Sequence, residues 1–201
     1  MVTGLPAGGA VGAARALAAA LDGVETRVGI GCVMVASASP DAALRDRVRR
    51  LVRRLGPDEY TADARVAATV VPVSYTGADL AQVAGDLGCT PAEVAAAHAR
   101  QHWRVAMMGF APGFGYLVPI GEPVLDWSRL SRRERPRTRV PAGSVGVAAG
   151  MSAVYPAAMP GGWHLLGTTD ITVFDAADEA RPALLRPGDV VRFEAVVEAA
   201  R

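Results

Sequence analysis

Aromatic residues and cysteine are scarce in this chain. Aromatic side chains make up 5% of its 201 residues, and Cys32 and Cys89 are its two cysteines. Two distant cysteines fit no zinc-binding or redox spacing, so we expect reduced thiols in a cytoplasmic protein. The sequence also has no P-loop, no Gly-x-Ser-x-Gly elbow and no His-Glu-x-x-His motif. The common catalytic motifs therefore assign no reaction to this chain.

An excess of charge and long apolar runs are missing as well. The formal net charge is +1, so bulk electrostatics favours neither nucleic acid nor an anionic membrane as a partner. Glycine, proline or charge interrupts each apolar stretch well before the roughly 18 residues that a membrane span needs. Residues 1–21 carry no early positive charge ahead of an apolar block, which makes them a poor signal peptide. We expect no nucleic acid and no membrane among the partners.

Histidine is rare, and its spacing does not predict a metal site. His98 and His102 lie four residues apart, which could place both on one helix face, while His164 is distant in sequence. The helix is expected to end between the first two, and no third ligand lies nearby. We therefore predict no metal. A lone histidine such as His98, near the end of a helix, can also simply cap backbone carbonyls.

The first third of the chain alternates between helical and strand patterns. Residues 10–21 are rich in alanine and predict a helix, and the apolar, β-branched residues 28–36 predict a strand. An apolar stripe at helical spacing over 44–55 predicts a second helix, for which Ser39-Pro40 is a start signal. The opposite face of this helix carries six arginines, which we interpret as a solvated face rather than as a surface for an acidic partner. We predict a small α/β sandwich domain over residues 1–68.

The remainder of the chain predicts two helices and then a β-rich domain. Thr90-Pro91-Ala92-Glu93 is a capping box with proline at the first helical position. Short β-like segments separated by turn residues follow Trp103, among them 103–108, 144–148, 171–174 and 190–197, which is typical of an all-β sandwich or barrel. The predicted fold class is α+β, with the second domain over residues 69–201.

Three loops rich in glycine and proline hold aromatic and polar side chains. The segment Gly109-Phe110-Ala111-Pro112-Gly113-Phe114-Gly115-Tyr116 contains three glycines, one proline and three aromatics. Glycine permits positive φ and proline fixes φ, so the segment should be neither helix nor regular strand. Similar loops occur at 136–145 and 155–169. Barrel corners also need glycine and proline, but three such loops together favour a shared cleft.

These loops resemble those of the family that contains the B-type subunit of 5-oxoprolinase, KipI and allophanate hydrolase subunit 1. The shared motifs are Gly-Phe-Ala-Pro-Gly-Phe-x-Tyr-Leu at 109–117, Pro-Arg at 136–137, Val-Pro-Ala-Gly-Ser-Val at 140–145, Tyr-Pro at 155–156, Pro-Gly-Gly-Trp at 160–163 and Leu-Arg-Pro-Gly-Asp at 185–189. Val71-Pro72-Val73, Asp79-Leu80 and the helix that ends near His98 also match. The resemblance extends over roughly residues 71–194.

The resemblance implies a small N-terminal α/β domain followed by a cyclophilin-like β-barrel. It implies a partner similar to the C-type subunit of 5-oxoprolinase, also cyclophilin-like, and a third protein of the lactam-hydrolase type. Together they would open 5-oxoproline, or a related lactam or amide, to glutamate with ATP, because phosphorylation of the oxygen of a stable lactam makes it a better electrophile. Related pairs act on urea as carboxyltransferase domains. Two alternatives stay open: a KipI-like regulator that binds a histidine kinase, and a stand-alone enzyme acting on another small molecule in specialised metabolism. A homo-oligomer also stays open.

The chain departs from the family pattern at four places. Gly115 and Ser131 stand where proline is usual, Met151 begins a stretch that is usually Gln-Thr-Gly, and Thr168 stands where the family places an arginine. The last two changes remove an amide and a cation from the expected cleft, and loss of an arginine weakens a site for an anion. The fold should survive these changes, whereas the substrate could differ.

The expected catalytic residues are Arg137, Ser144 and His98. Arginine grips a carboxylate or phosphate through two N–H groups, and the hydroxyl of Ser144 beside glycine amides could hold an oxyanion. Flat aromatic walls suit a small substrate. The expected substrate-binding residues are Phe110, Pro112, Gly113, Phe114, Tyr116, Gly143, Tyr155, Gly161, Gly162 and Trp163.

Overall fold

The N-terminal part is a three-stranded sheet covered by two helices. A computed structural model describes residues 1–5, 9–55 and 68–196. Strand β1 (Val2–Thr3), helix α1 (Gly9–Ala20), strands β2 (Val24–Gly29) and β3 (Cys32–Ser37), and helix α2 (Ala42–Arg54) follow in order, and the antiparallel sheet has the order β1-β3-β2. Apolar side chains from the helices and the sheet, among them Leu17, Val33 and Val48, form a core of their own.

Two predictions for this part need correction. Residues 28–36, predicted as one strand, contain a tight hairpin, in which Gly29 pairs with Cys32. Gly31 has φ 63 there, a conformation that glycine adopts at little cost. Helix α2 begins after Asp41 rather than after Ser39, because the Asp41 carboxylate accepts the Leu44 N–H at 2.7 Å.

The larger part is a nearly closed, seven-stranded barrel. Its elements are β4 (Thr69–Val73), α3 (Leu80–Leu87), α4 (Pro91–Arg100), β5 (His102–Met108), β6 (Gly115–Pro119), a 3₁₀ turn (Trp127–Arg129), β7 (Arg137–Val140), β8 (Ser144–Ala148), β9 (Met151–Val154), β10 (Met159–Gly161), β11 (His164–Thr168) and β12 (Val190–Ala195). The sheet order is β11-β8-β9-β6-β5-β12-β4, and β7 pairs with β10 in a separate two-stranded sheet. Helix α4 has the predicted capping box. The predicted strand at 171–174 is wrong, because it forms only a single bridge, Phe174 with Ala183.

The barrel closes where its two edge strands meet. Ser74 and Thr168 exchange two backbone hydrogen bonds of 2.9 Å, and the Gly77 N–H donates to the Leu166 carbonyl at 3.0 Å. A Cβ atom at Gly77 or Gly167 would collide with the backbone across this seam. Glycine therefore allows the two edges to approach closely.

The barrel interior has its own apolar core. Trp103, Leu117 and Phe193 are fully buried in it, and side chains from α3 and α4 pack against it. The predicted fold class, a small α/β unit followed by a cyclophilin-like barrel, is confirmed. The boundary between 68 and 69 stays a prediction, since residues 56–67 next to it lie outside the described residues. Residues 65–75 also have the sequence pattern of a strand, and the first three of them are among those residues. In the described parts of the chain, no helix is long and apolar enough to cross a membrane.

Candidate functional site

The first and third loops meet at an aromatic pocket of about 60 Å³. Its lining is formed by Phe110, Phe114, Tyr116, Arg132, Tyr155, Gly161, Gly162 and Trp163. All of these except Arg132 are residues that the sequence placed in the substrate site. The pocket lies over a small buried cluster to which Val140, at the end of β7, also contributes.

Phe114 is the centre of the pocket's aromatic wall. Its ring makes edge-to-face contacts with Phe110, Tyr116, Tyr155 and Trp163, with centroid separations of 5.5, 5.1, 5.4 and 5.7 Å. Aromatic rings prefer this geometry because the positive edge of one meets the negative face of another. Since Phe114 is buried, the wall is fixed before any ligand arrives.

Phe110 is held outward by an unusual backbone conformation. It is 68% exposed, and its φ of 70 is a region that bulky residues rarely occupy. Backbone hydrogen bonds from Gly109 N–H to the Phe114 carbonyl and from Phe114 N–H to the Ala111 carbonyl close the loop around it. Strain of this kind persists where the surrounding structure enforces it, and it is found at ligand-binding positions.

The predicted residues Pro112, Gly113 and Gly143 shape the loops without lining the pocket. Gly113 has φ 79, and a Cβ atom there would collide with the side chain of Phe174. The Gly143 N–H donates to the Tyr155 carbonyl at 2.8 Å, and the Gly143 carbonyl accepts from Thr169 at 2.9 Å. These two hydrogen bonds hold the segment 136–145 against the segment 155–169.

A buried carboxylate, Asp79, holds two arginines beside the pocket. Its Oδ1 accepts from Arg133 at 2.8 Å and from Arg137 at 2.7 Å, and its Oδ2 accepts the Leu165 N–H at 2.8 Å. Burial acts to raise the pKa of Asp79, but the hydrogen bonds from Arg137 and Leu165 and the charges of both arginines outweigh it and lower the pKa. Asp79 therefore stays ionised and fixes Arg137, one of the predicted catalytic residues.

The hydroxyl of Tyr155 is close enough to Arg132 and Arg137 for their charges to affect its pKa. Burial raises the pKa of Tyr155, while a hydrogen bond from the Trp163 backbone N–H and the charges of Arg132 and Arg137 act against it. The phenol is consequently neutral at physiological pH. The pocket thus combines apolar ring faces with a neutral hydroxyl and nearby cations, a combination suited to a small polar ring bearing a negative charge.

Ser144 lies at the start of β8 and is buried. Its carbonyl accepts the Tyr155 N–H at 2.9 Å. Ser144 does not line the pocket, but this backbone contact links it to Tyr155, which does. Its expected role with an oxyanion stays a prediction.

His98 lies inside the barrel, apart from the aromatic pocket. The ring is fully buried, with Nδ1 2.8 Å from the Tyr75 hydroxyl and Nε2 2.8 Å from Ser152 Oγ. It stacks against Phe193 with a centroid separation of 4.4 Å. Burial lowers the pKa of His98 to about 3, so the ring is neutral. Its catalytic role stays a prediction, and its contacts are those of a core residue.

Sequence reasoning missed Asp79, Arg132 and Arg133 as site residues. Asp79 precedes α3 in the position of a helix cap, yet its side chain makes no capping bond and points to the arginines instead. The sequence signal that could have identified Asp79 was its place in Asp79-Leu80, a motif shared with the family. Arg132 and Arg133 belong to an arginine-rich stretch that a single sequence does not distinguish from solvated surface.

The chain is similar to known proteins over most of its length. The family model described as carboxyltransferase domain, subdomain C and D, matches residues 9–185. The chain is 38% identical over 173 residues to the B-type subunit of 5-oxoprolinase from Escherichia coli O157:H7, a match that covers 85% of this chain and 77% of the relative. It is 36% identical over 163 residues to the protein of the same name from Bacillus subtilis (strain 168), covering 80% of this chain and 65% of the relative.

A solved structure shows the same fold in a longer protein. The crystal structure of TTHA0988 superposes with a TM-score of 0.72 at 37% sequence identity. The match covers 94% of this chain but 36% of TTHA0988. The present chain thus spans about a third of that protein's length and corresponds to one part of it.

Proposed function

Since the chain belongs to the family of carboxyltransferase domains, subdomain C and D, we propose that it serves as one component of a 5-oxoprolinase-type complex. The observation that carries the proposal is the meeting of the family's loop motifs at one aromatic pocket beside the Asp79–Arg133–Arg137 group. The proposed reaction is the opening of 5-oxoproline, or a related lactam, to glutamate. The finer statements, on substrate, ATP and partner, rest on the resemblance and on the names of the relatives.

The pocket offers what a small lactam acid requires. The rings of Phe114 and Trp163 pack against the apolar part of a five-membered ring, and Arg132 at the pocket wall pairs with its carboxylate. The neutral Tyr155 hydroxyl can hydrogen-bond to the amide. The cavity of about 60 Å³ holds only part of such a molecule, so the exposed ring of Phe110 would cover the remainder.

The proposed complex needs components beyond this chain. A cyclophilin-like partner similar to the C-type subunit of 5-oxoprolinase and a lactam-hydrolase-type protein would complete it, and ATP would supply the phosphoryl group that activates the lactam oxygen. In this proposal the present chain binds and orients the lactam. Of the predicted catalytic residues, Arg137 is the one that Asp79 places next to the pocket.

The test is reconstitution with the genomic neighbours. The chain is co-expressed with them, the intact complex is purified, and 5-oxoproline-dependent ATP hydrolysis and glutamate formation are measured. Trp163→Ala should reduce kcat/KM by at least tenfold because it removes a wall of the pocket, whereas the exposed α2 variant Arg53→Gln should match the unmodified complex. An intact complex without turnover would contradict the proposal. Capture of a histidine kinase without turnover would favour the regulatory alternative.

A further inference from the structure

An arginine-lined cleft of about 400 Å³ lies beside the aromatic pocket. Four arginines, Arg129, Arg132, Arg133 and Arg135, line it together with two acidic residues, Asp86 and Glu134, so its formal charge is +2. The other lining residues are Gln82, Leu130, Ser131 and His164. The family motifs discussed above leave this cleft unexplained.

Buried polar atoms without partners cluster at this cleft. Among the described residues, four buried side-chain nitrogens have no hydrogen-bond partner: Trp127 Nε1, Arg133 Nε, Arg137 Nη1 and His164 Nδ1. Arg133 and His164 line the cleft, and Arg137 shares the Asp79 carboxylate with Arg133. Leaving such a group unsatisfied destabilises the folded protein, and folded proteins pair nearly all of them. The unpartnered Nε of Arg133 and Nδ1 of His164, both on residues that line the cleft, therefore point to a ligand that satisfies them.

The chemistry of these atoms restricts the ligand. The unpartnered guanidinium N–H of Arg133 only donates, and so do the other arginines of the cleft, so they need anionic oxygens. His164 Nε2 lies 2.9 Å from the Ser131 carbonyl, which only accepts, so Nε2 carries a proton. With one proton on the ring and that proton on Nε2, Nδ1 is an acceptor, so a ligand that pairs with it must donate a hydrogen bond. The ligand must combine anionic oxygens with one retained proton.

We propose that this cleft binds a phosphate group that retains one proton, with the arginines on its oxygens and His164 Nδ1 accepting its P–OH. An ionised carboxylate has no proton to donate, and its two oxygens cannot engage several guanidinium groups fully. The backbone of residues 129–135, which carry the arginines of the cleft, is held in place, because the backbone N–H of Arg133 donates to the Gly162 carbonyl at 2.8 Å. This inference goes beyond the proposed function, since it is a binding property of the chain without any turnover.

The experiment uses the purified full chain and isothermal titration with four probes: inorganic phosphate, sulfate, ATP and 5-oxoproline. Sulfate is the matched control ligand, because it has the shape of phosphate but no proton to donate near neutral pH. We expect phosphate to bind at least tenfold more tightly than sulfate. The terminal phosphate of ATP has lost most of its last proton near neutral pH, so we expect ATP to bind no better than inorganic phosphate. Tighter binding of ATP than of inorganic phosphate would contradict the retained proton.

Three variants locate the binding. The double variant Arg129→Gln/Arg135→Gln changes two exposed residues of the cleft wall and should weaken phosphate binding by at least tenfold. Arg53→Gln, on the exposed face of α2, should leave binding within twofold of the unmodified chain. His164→Phe should abolish the preference for phosphate over sulfate, and its circular dichroism spectrum checks that it folds. Equal binding of phosphate and sulfate by the unmodified chain, no binding of either, or equal losses in Arg53→Gln would overturn the proposal. Because Arg132 lines both the cleft and the aromatic pocket, displacement by 5-oxoproline is measured in Trp163→Ala, which lacks a wall of that pocket. Displacement of phosphate by 5-oxoproline in this variant would also overturn the proposal, since the cleft would then be a carboxylate site.

Discussion

At the scale of single residues, Asp79 determines how the cations beside the pocket are arranged. Its carboxylate accepts from Arg133, Arg137 and the Leu165 N–H while its side chain is 4% exposed. Without it, two guanidinium groups would face each other with no counter-charge. A buried ion pair contributes little net stability compared with an apolar pair, but removal of one partner is costly because the other charge stays buried.

The substitution Asp79→Asn tests this arrangement. It should lower the free energy of unfolding by about 3 kcal/mol, because it leaves Arg133 and Arg137 without their shared charge. Urea denaturation at pH 7 measures the change. The control is Asp46→Asn, which removes an exposed partner of Arg49 at 3.5 Å and should change stability by less than about 0.5 kcal/mol. Equal effects of the two substitutions would show that Asp79 is an ordinary surface charge.

His98 makes stability depend on pH. Its folded-state pKa is about 3 because of burial, below the ordinary value of about 6.5, so below pH 6.5 the unfolded chain binds a proton that the folded chain does not. Stability is therefore complete above pH 6.5 and falls toward pH 3 by about 1.4 kcal/mol per pH unit. Urea denaturation between pH 7 and pH 4.5 measures the slope. His98→Asn should flatten it, and an NMR titration of the ring in the unmodified protein should show no protonation in this range.

At the scale of elements, closure of the barrel depends on close backbone approach. Gly77→Ala should lower the free energy of unfolding by about 2 kcal/mol or more, because its Cβ would collide with the backbone of Leu165 and Leu166 across the seam. Chemical denaturation measures the effect. The matched control is Gly85→Ala in helix α3, where nothing lies within 4 Å of the new Cβ. That change should stabilise the protein by about 0.5–1 kcal/mol, so destabilisation by both would argue against the steric explanation.

Local sequence signals were sufficient to locate some helices and strands but not others. The capping box at Thr90 and Glu93 fixed the start of α4, because all of its contacts lie within one helical turn. The hairpin at 29–32 was missed although Gly31 lies in its turn, because the valines on both sides have one continuous strand pattern. The strand predicted at 171–174 has the composition of a strand but no neighbour to pair with beyond one bridge.

At the scale of the whole molecule, the described residues form two main apolar cores. The N-terminal core contains Leu17, and the barrel core contains Trp103 and Phe193. Because each core is packed from its own elements, a cavity in one should affect the other only weakly. This expectation agrees with the predicted division into two domains and can be tested directly.

Leu17→Ala provides the test. It should lower the local stability of the N-terminal unit by about 2–5 kcal/mol, because Leu17 is fully buried. Hydrogen exchange measured by mass spectrometry should show faster exchange in α1, β2 and β3 and unchanged exchange in β6, β8 and β9. Uniformly faster exchange across all strands would mean that the chain unfolds as one cooperative unit.

The fold class, the barrel's glycine- and proline-rich segments and most of the aromatic wall could be predicted from the sequence. Those features depend on local backbone preferences and on motifs that can be read in order along the chain. Which polar groups meet could not be predicted, because it depends on the tertiary structure. Asp79 reaches Arg133 and Arg137 across 54 and 58 positions, His98 meets Ser152 across 54, and the arginine cleft joins α3 to residues 129–135 and β11. Such contacts depend on how the barrel closes, because charge and hydrogen bonding act over a few ångströms in space regardless of separation along the chain.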